Sequence, residues 1–302
     1  MRLGIDLGGT KIAAVVLDEA GAVRWDTRRP TPRDDYAATV AALAALVAEA
    51  ERTLGVACTV GIGIPGAISP ATGLVKNANS TWLNGRRLSE DLTAALDREV
   101  RLANDANCLA ISEATDGAAS GADIVFGVIL GTGTGGGVVV RGRGLVGANA
   151  IAGEWGHNPL PWPEEDERPG RPCYCGRRGC LETFLSGPGL AADYVALGGA
   201  PERGEVIVER ALAGEPRARQ TLDRWVRRLA KALATIINVL DPDVIVVGGG
   251  LSAIDRIYAE VPAAWGAWVF SDQVATRLVR ARHGDASGVR GAAWLWPVSP
   301  RP

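Results

Sequence analysis

GIDLGGTKIAAVVLDEAG at residues 4–21 and VFGVILGTGTGGGVVVRGRG at residues 125–144 are two passes of one pattern. Each reads as a short apolar strand, a glycine-rich turn, a second strand rich in valine, and another turn. That is the signature of a β-meander, with a tight first turn that only small residues fit. Its recurrence predicts two α/β units, each opened by one copy. In the first copy the strands are residues 2–7, Ile12–Leu17 and Val23–Thr27. The stretch TPRDDY at 31–36 then caps a helix in which Val40, Leu43, Val47 and Leu54 fall at three- and four-residue steps. Thr59–Ile64 returns as a strand closed by Pro65-Gly66. A polar loop, GLVKNANSTWLNG, fills 73–85. Leu88–Leu96 reads as a helix, Val100–Leu102 as a strand ending at Asn104-Asp105, and 107–115 as a helix. In the second half, helices fill about 189–240 and stop at Asp241-Pro242. DVIVVGGG at 243–250 is a buried strand running into glycine, and 288–296 is a closing apolar helix.

The 302 residues are 47% hydrophobic and 22% charged, as in a soluble globular protein. A net charge of −2 leaves no basic footprint for nucleic acid and no polybasic membrane patch. No apolar run approaches the roughly 18 residues of a membrane span, and the N-terminus goes straight into a strand without a signal-peptide pattern. Cys58 and Cys108 lie in apolar surroundings and read as buried thiols. A cytoplasmic setting is expected. The expected division is a smaller lobe at 1–116, a larger lobe at 117–287, and a C-terminal helix from about 288 to 302 packed back on the first.

Three features carry chemistry. The first is the pair of glycine turns. Gly8-Gly9-Thr10-Lys11 is not a Walker loop, because apolar, β-branched IAAVVL follows it instead of a helix. Alone it could be a plain hairpin. With Gly131-Thr132-Gly133-Thr134-Gly135-Gly136-Gly137 as its counterpart, it becomes half of a phosphate clamp built on backbone N–H groups. Asp6 is placed to hold Mg²⁺ through water. Gly248-Gly249-Gly250 ends a buried strand, where α/β sheets meet ligands, although a helix-initiating turn would look the same.

The second feature is the stretch GEWGHNPLPWPEEDERPGRPCYCGRRGCLE at 153–182. It sets His157, Cys173, Cys175 and Cys180 in the order H-x15-C-x-C-x4-C. One imidazole and three thiolates make a closed tetrahedral set for structural zinc. Glu154 and Glu182 flank this knuckle. The third feature is Asn104-Asp105. A carboxylate at a strand's end can take a proton from a substrate hydroxyl, while an Asx turn or helix N-cap is the competing role. Asn79, Asn104, Asp105, Glu154, His157 and Glu182 together suit a neutral polyhydroxylated ligand. One ring nitrogen of His157 could take the metal while the other donates to the ligand or a carboxylate.

These residues resemble the ROK sugar kinases. The likeness rests on GIDLGGTK (4–11), GIGIPG (61–66), LANDANC (102–108), LGTGTGGG (130–137), GEWGH (153–157), CYCGRRGCLE (173–182) and DPDVIVVGGG (241–250). It implies an α/β, actin-like ATPase (ribonuclease H-like) fold with two lobes around a central cleft. It also implies ATP as phosphoryl donor, Mg²⁺ and a structural Zn²⁺. Asp105 becomes the base, and Gly66, Asn79, Asn104, Glu154, His157 and Glu182 become sugar contacts. Gly4, Asp6, Gly8, Gly9, Thr10 and Lys11 from the first copy would meet the nucleotide. So would Thr132, Gly133, Thr134, Gly135 and Gly136 from the second, with Gly248, Gly249 and Gly250 at the adenosine. Within the family the chain is similar to bacterial fructokinases, chiefly through GIPGAISPATGLVKNANSTWLNG (63–85) and HGDASGVRGAAWLWP (283–297). The implied reaction makes D-fructose 6-phosphate, with glucose, mannose or N-acetylglucosamine as alternatives. A homodimer is expected. DNA-binding members of the family carry a helix-turn-helix ahead of the first strand, which here starts at residue 2, so a repressor is the remote alternative.

Overall fold

The computed structural model describes residues 1–296. In chain order the strands are β1 (Arg2–Leu7), β2 (Lys11–Leu17), β3 (Val23–Pro30), β4 (Thr59–Ile64), β5 (Ala67–Ile68), β6 (Val75–Lys76), β7 (Val100–Asn104), β8 (Ile124–Leu130), β9 (Thr134–Val140), β10 (Arg143–Gly144), β11 (Val244–Gly248) and β12 (Arg277–Arg280). The helices are α1 (Tyr36–Leu54), α2 (Leu88–Leu96), α3 (Asp105–Thr115), α4 (Glu182–Leu185), α5 (Gly187–Ala196), α6 (Gly204–Leu212), α7 (Pro216–Leu240), α8 (Arg256–Trp265) and α9 (Ser287–Ala293). Among the described residues no helix is long and apolar enough to cross a membrane.

The chain forms two compact units. One contains Met1–Gly121, Gly137–Ala152 and the described residues from Asp285 onward. The other contains Ala122–Gly136 and Gly153–Gly284. The sequence reading leaves 137–152 in the second lobe. They join the first unit because glycines let them lie directly on α3. A side chain at Gly137 would meet the Ala106 carbonyl oxygen at 2.7 Å, and one at Gly144 would meet Ile111 at 2.8 Å.

The first unit's sheet has the order β3-β2-β1-β4-β7. β1, β2 and β3 are an antiparallel meander, and β4 and β7 extend it in parallel from β1. The second sheet, β10-β9-β8-β11-β12, repeats that order, with β11 parallel to both β8 and β12. The duplication read from the two glycine stretches is therefore a duplication of topology. β11 (VIVVG) is buried throughout, as a near-continuous apolar run in a parallel sheet should be. The polar loop at 73–85 is more ordered than its composition suggests. It contains β6 and a 3₁₀ turn at Thr81–Leu83, and the Asn84 side chain closes it by bonding both the N–H and the carbonyl of Ala78 at 2.9 Å.

On one face of the first sheet, Leu3, Ile5 and Leu7 of β1 and Ile12, Ala14 and Val16 of β2 belong to one core with Leu43, Leu46, Val47 and Ala50 of α1. Alternation sends Gly4, Gly61 and Gly63 to the other face, where α9 and α3 pack. α9 approaches too closely for side chains. A Cβ at Gly4 would sit 2.1 Å from the Val289 carbonyl oxygen, and one at Gly61 would sit 1.9 Å from that of Ala292. One at Gly291 would sit 1.7 Å from the Cys108 carbonyl oxygen. Gly4, expected at the nucleotide, is thus a packing glycine beneath α9. Gly61→Ala should cost about 3 kcal/mol, because the obstructing atom is backbone and cannot swing aside. The check is a chemical denaturation midpoint, compared with Gly55→Ala, where nothing lies within 4 Å of the added methyl.

Candidate active site and metal centre

In the first unit the predicted residues gather at the C-terminal ends of β1, β4 and β7. β7 ends at Asn104, whose side-chain oxygen caps α3 by accepting from the Ala106 N–H at 2.9 Å. The capping reading of this dipeptide is therefore realised. Asn104 Nδ2 also donates to the Gly66 carbonyl at 3.1 Å. Gly66 has φ +73° and lies against 76–78, where a Cβ would meet the Lys76 carbonyl oxygen at 2.3 Å. Only glycine fits there, and it links the Asn104 turn to the loop carrying Asn79. Asn79 is exposed, and its neighbour Ser80 is buried facing Gly9 of the first glycine turn, its Oγ 3.2 Å from where a Cβ would lie. That turn is closed by Gly8 N–H donating to the Lys11 carbonyl at 3.0 Å.

Asp105 is the first residue of α3. Its Oδ1 accepts from the Ala106 N–H at 2.8 Å. The side chain is open to water on one side but otherwise enclosed. Enclosure raises its pKa, although hydrogen bonds from Ala106 and Asn104 pull the other way. Asp6 is pushed up to about 6 by burial first and by Asp105 second, with Lys11 opposing. Two carboxylates in mutual reach resist ionising together, and a cation would relieve them.

This has a consequence for stability. A carboxyl whose folded pKa lies above its unfolded value, 3.8 here, favours folding fully below that value. It loses the preference as pH rises through about 6. Asp6→Asn should therefore be more stable than wild type by about 2 kcal/mol at pH 8 without divalent cations, and equal to it at pH 4. Melting curves at the two pH values test this; an equal gain at both would remove the electrostatic cause.

In the second unit the second glycine turn is wired to the metal loop. The Thr134 N–H donates to Glu182 Oε2 at 3.0 Å, and Trp155 Nε1 donates to the Gly135 carbonyl at 2.9 Å. A Cβ at Gly156 would lie 1.9 Å from the Thr134 carbonyl oxygen. The space beside Gly136 is filled by the Gly153 carbonyl, Phe126 and Trp155, so Gly136 is a packing position and not a free ligand surface. Thr134 is 4% exposed and its hydroxyl has no hydrogen-bond partner. The Gly248–Gly250 turn lies beside this one, with Gly250 N 3.9 Å from where a Gly131 side chain would start.

His157, Cys173, Cys175 and Cys180 come together, with their ligand atoms all within 4.8 Å of one another. Cys175 and Cys180 sulfurs are 3.6 Å apart, and Cys173 Sγ is 3.5 Å from His157 Nδ1. A tetrahedral zinc with Zn–S of about 2.3 Å and Zn–N of about 2.0 Å requires edges of roughly 3.8 and 3.6 Å. The donor set and its spacing fit that ion. Burial and the neighbouring thiols push Cys180 up to about 12, the penalty that a divalent cation reverses. The outer part of the loop is anchored on α7 by buried charges. Arg228 is 2.6 Å from Glu167 and 2.9 Å from Asp193, and Arg171 joins Asp193 at 3.1 Å. Arg171 also donates to the carbonyl of Thr183, the residue after Glu182.

The sequence reading missed Tyr174. Its hydroxyl lies 2.9 Å from His157 Nε2, and the two rings meet edge to face with centroids 5.0 Å apart. The sequence reading turns this nitrogen toward a ligand or a carboxylate; among the described residues its hydrogen-bond neighbour is the phenol. The available signal was positional, since in Cys173-Tyr174-Cys175 two metal-directed neighbours fix the middle residue.

The duplicated α/β architecture and these two sets of residues define an actin-like ATPase fold. The ROK family model matches residues 2–298. An N-acetyl-D-glucosamine kinase of Escherichia coli O6:H1 is 42% identical over 98% of this chain and 99% of its own length. The crystal structure of a ROK hexokinase from Thermus thermophilus superposes with a TM-score of 0.86 at 33% identity, covering 97% of this chain and 96% of that one. A ROK family glucokinase from Streptomyces griseus, solved with glucose and AMPPNP, gives 0.76 at 29% identity, covering 97% and 98%. The chain belongs to the ROK family.

Proposed function

We propose that the chain is an ATP-dependent kinase of a free hexose, transferring the γ-phosphoryl group to the 6-hydroxyl. The observation that carries this reading is Asp105, held at the start of α3 with one oxygen on its own helix, beside a second, partly enclosed carboxylate and a glycine turn. Asp105 removes the proton of the attacking hydroxyl, the oxygen bonds to the γ-phosphorus, and ADP leaves. Gly66, Asn79 and Asn104 on the first unit, and Glu154, His157 and Glu182 on the second, are the proposed sugar contacts. The turns at 8–11 and 131–135 hold phosphate oxygens through backbone N–H groups, and the orphaned Thr134 hydroxyl is a donor suited to the same task. Gly248–Gly250 takes the adenosine. Mg²⁺, held through Asp6, would neutralise phosphate charge. Zn²⁺ on His157, Cys173, Cys175 and Cys180 would fix the loop that carries Glu154 and Glu182.

N-acetyl-D-glucosamine is the favoured sugar, because the N-acetyl-D-glucosamine kinase of E. coli is 42% identical over nearly the whole length of both chains. Fructose is the second reading, resting on the stretch 63–85, whose Asn84 clasp holds the segment around Asn79 in one conformation. Coupled ADP-release assays across N-acetylglucosamine, fructose, mannose and glucose decide between them. Absence of turnover with every hexose would overturn the kinase reading itself. A homodimer in the cytoplasm is the expected state, measured by sedimentation of the purified chain.

A further inference from the structure

We propose that Thr31 is a positioning residue for the nucleotide, setting a peptide plane of the first glycine turn so that its N–H is presented to phosphate. The inference rests on the ATP-dependent kinase reading above. It starts where β3 closes, at Pro30 opposite Lys11. Thr31 stands between Pro30 and Pro32. The proline after it biases Thr31 to extended backbone, and neither proline has an N–H, so Thr31 supplies the only one in the segment. That N–H donates to the Thr10 carbonyl at 3.1 Å, and the Thr31 hydroxyl donates to the Gly8 carbonyl at 2.7 Å. Both donors of one residue, itself 6% exposed, are thus spent on two carbonyls of the turn at 8–11.

A trans peptide is planar, and its C=O and N–H point in opposite directions. Holding the Gly8 oxygen therefore turns the Gly9 N–H away from Thr31. The Gly8-Gly9 peptide lies between two glycines, the residues that resist rotation of a peptide plane least. Without the hydroxyl that plane is free to flip, presenting a carbonyl oxygen that repels phosphate in place of an N–H that binds it. Among the described residues no acceptor meets the Gly9 or Thr10 N–H, so both remain for a ligand. The second copy carries the same restraint. Gly131 follows the last leucine of β8 as Gly8 follows that of β1, and its carbonyl accepts from the Gly187 N–H, at the start of α5, at 2.8 Å. The Thr132 N–H is directed away from Gly187 by the same geometry. Two unlike donors, a hydroxyl and a helix N–H, restrain equivalent carbonyls. What the two turns share is the direction of an N–H, whichever group secures it.

The test compares Thr31→Val, which puts a methyl group in place of the hydroxyl, with Thr31→Ser, which keeps the hydroxyl. Calorimetry gives affinities for AMPPNP, for adenosine and for the hexose that is turned over, and steady-state assays give KM for ATP and for sugar. Thr31→Val should bind AMPPNP roughly tenfold more weakly, with a matching rise in ATP KM. Its adenosine affinity, hexose affinity and sugar KM should stay at wild-type values. Thr31→Ser should lie within about twofold of wild type throughout. In the wild-type protein the Gly9 and Thr132 amide NMR signals should shift on adding AMPPNP and stay in place with adenosine. Unchanged AMPPNP affinity in Thr31→Val would overturn the proposal. So would an equal loss for adenosine or hexose, or an equal loss in Thr31→Ser, because the residue would then only support the fold. Amide signals that ignore AMPPNP would overturn it with no variant needed, which keeps the test decisive even if Thr31→Val does not fold. A wild-type protein that binds no AMPPNP would instead reject the underlying kinase reading.

Discussion

Asp105→Asn should leave a folded protein that still binds hexose and ATP but turns over about a thousandfold more slowly, or less. Two features make this substitution a clean probe. The Asp105 oxygen accepts from the Ala106 N–H, and an asparagine oxygen can do the same, so the first turn of α3 keeps its bond. Asn104 also caps that turn, which gives a second hold. What the amide lacks is the ability to take a proton, and general base catalysis contributes about 10² to 10⁴ in rate. The partial enclosure that raises the Asp105 pKa also strengthens it as a base. Sugar affinity by calorimetry and single-turnover rates with ATP separate binding from chemistry. A variant retaining a tenth of the wild-type rate would remove Asp105 from the role of base.

Loss of the metal centre should have the second large effect. Cys180→Ser, or stripping with a strong chelator, should release about one zinc per chain. It should lower Tm by roughly 5–10 °C, since several kcal/mol of metal binding are coupled to the order of the loop. Activity should fall by more than about a hundredfold. The reason is geometric. The same segment carries Glu154, His157 and Glu182, and Glu182 holds the Thr134 N–H of the second glycine turn. Disorder in the loop would therefore reach the proposed phosphate turn as well as the proposed sugar contacts, and KM should rise for both substrates. The buried Arg228–Glu167–Asp193 group should keep the outer part of the loop docked. Proteolysis should accordingly begin near 173–180 and not near 164–168. A metal-free protein with normal Tm and full activity would reject the centre.

Much of this was legible in the residues. The two glycine stretches foretold the repeated sheet, because a strand–glycine–strand pattern has few other solutions. The gathering of His157, Cys173, Cys175 and Cys180 was legible because residue type and spacing are written directly in sequence. Less legible were features that depend on which backbone surfaces meet. Gly4 and Gly61 look like any strand glycines until α9 is seen against them. Gly136 looks like its neighbours in a run of glycines until Trp155 and Phe126 occupy its side. The attachment of 137–152 to the first unit depends on the close approach of β9 and β10 to α3. The polar loop at 73–85 gave no pattern for its 3₁₀ turn, since the Asn84 clasp is a single side chain bonding to a peptide six residues away. Tyr174 was hidden because its partner is a ring nitrogen whose direction is set by the metal loop.

The packing of α9 on β1 and β4 also bears on how the chain comes to be folded during synthesis. Arg2 and Trp296 are joined by a hydrogen bond, and Trp296 Nε1 donates to the Val60 carbonyl, more than two hundred residues away in sequence. While a ribosome is still making the second unit, the glycine-lined face of the first sheet has emerged without the helix that covers it. The first unit must then wait, with an apolar surface bare, until the codons for α9 have been read. Contacts this distant in sequence slow folding and favour aggregation in the interval. Supplying the segment 283–302 in trans as a peptide, to nascent chains arrested before it is made, should shorten that exposure.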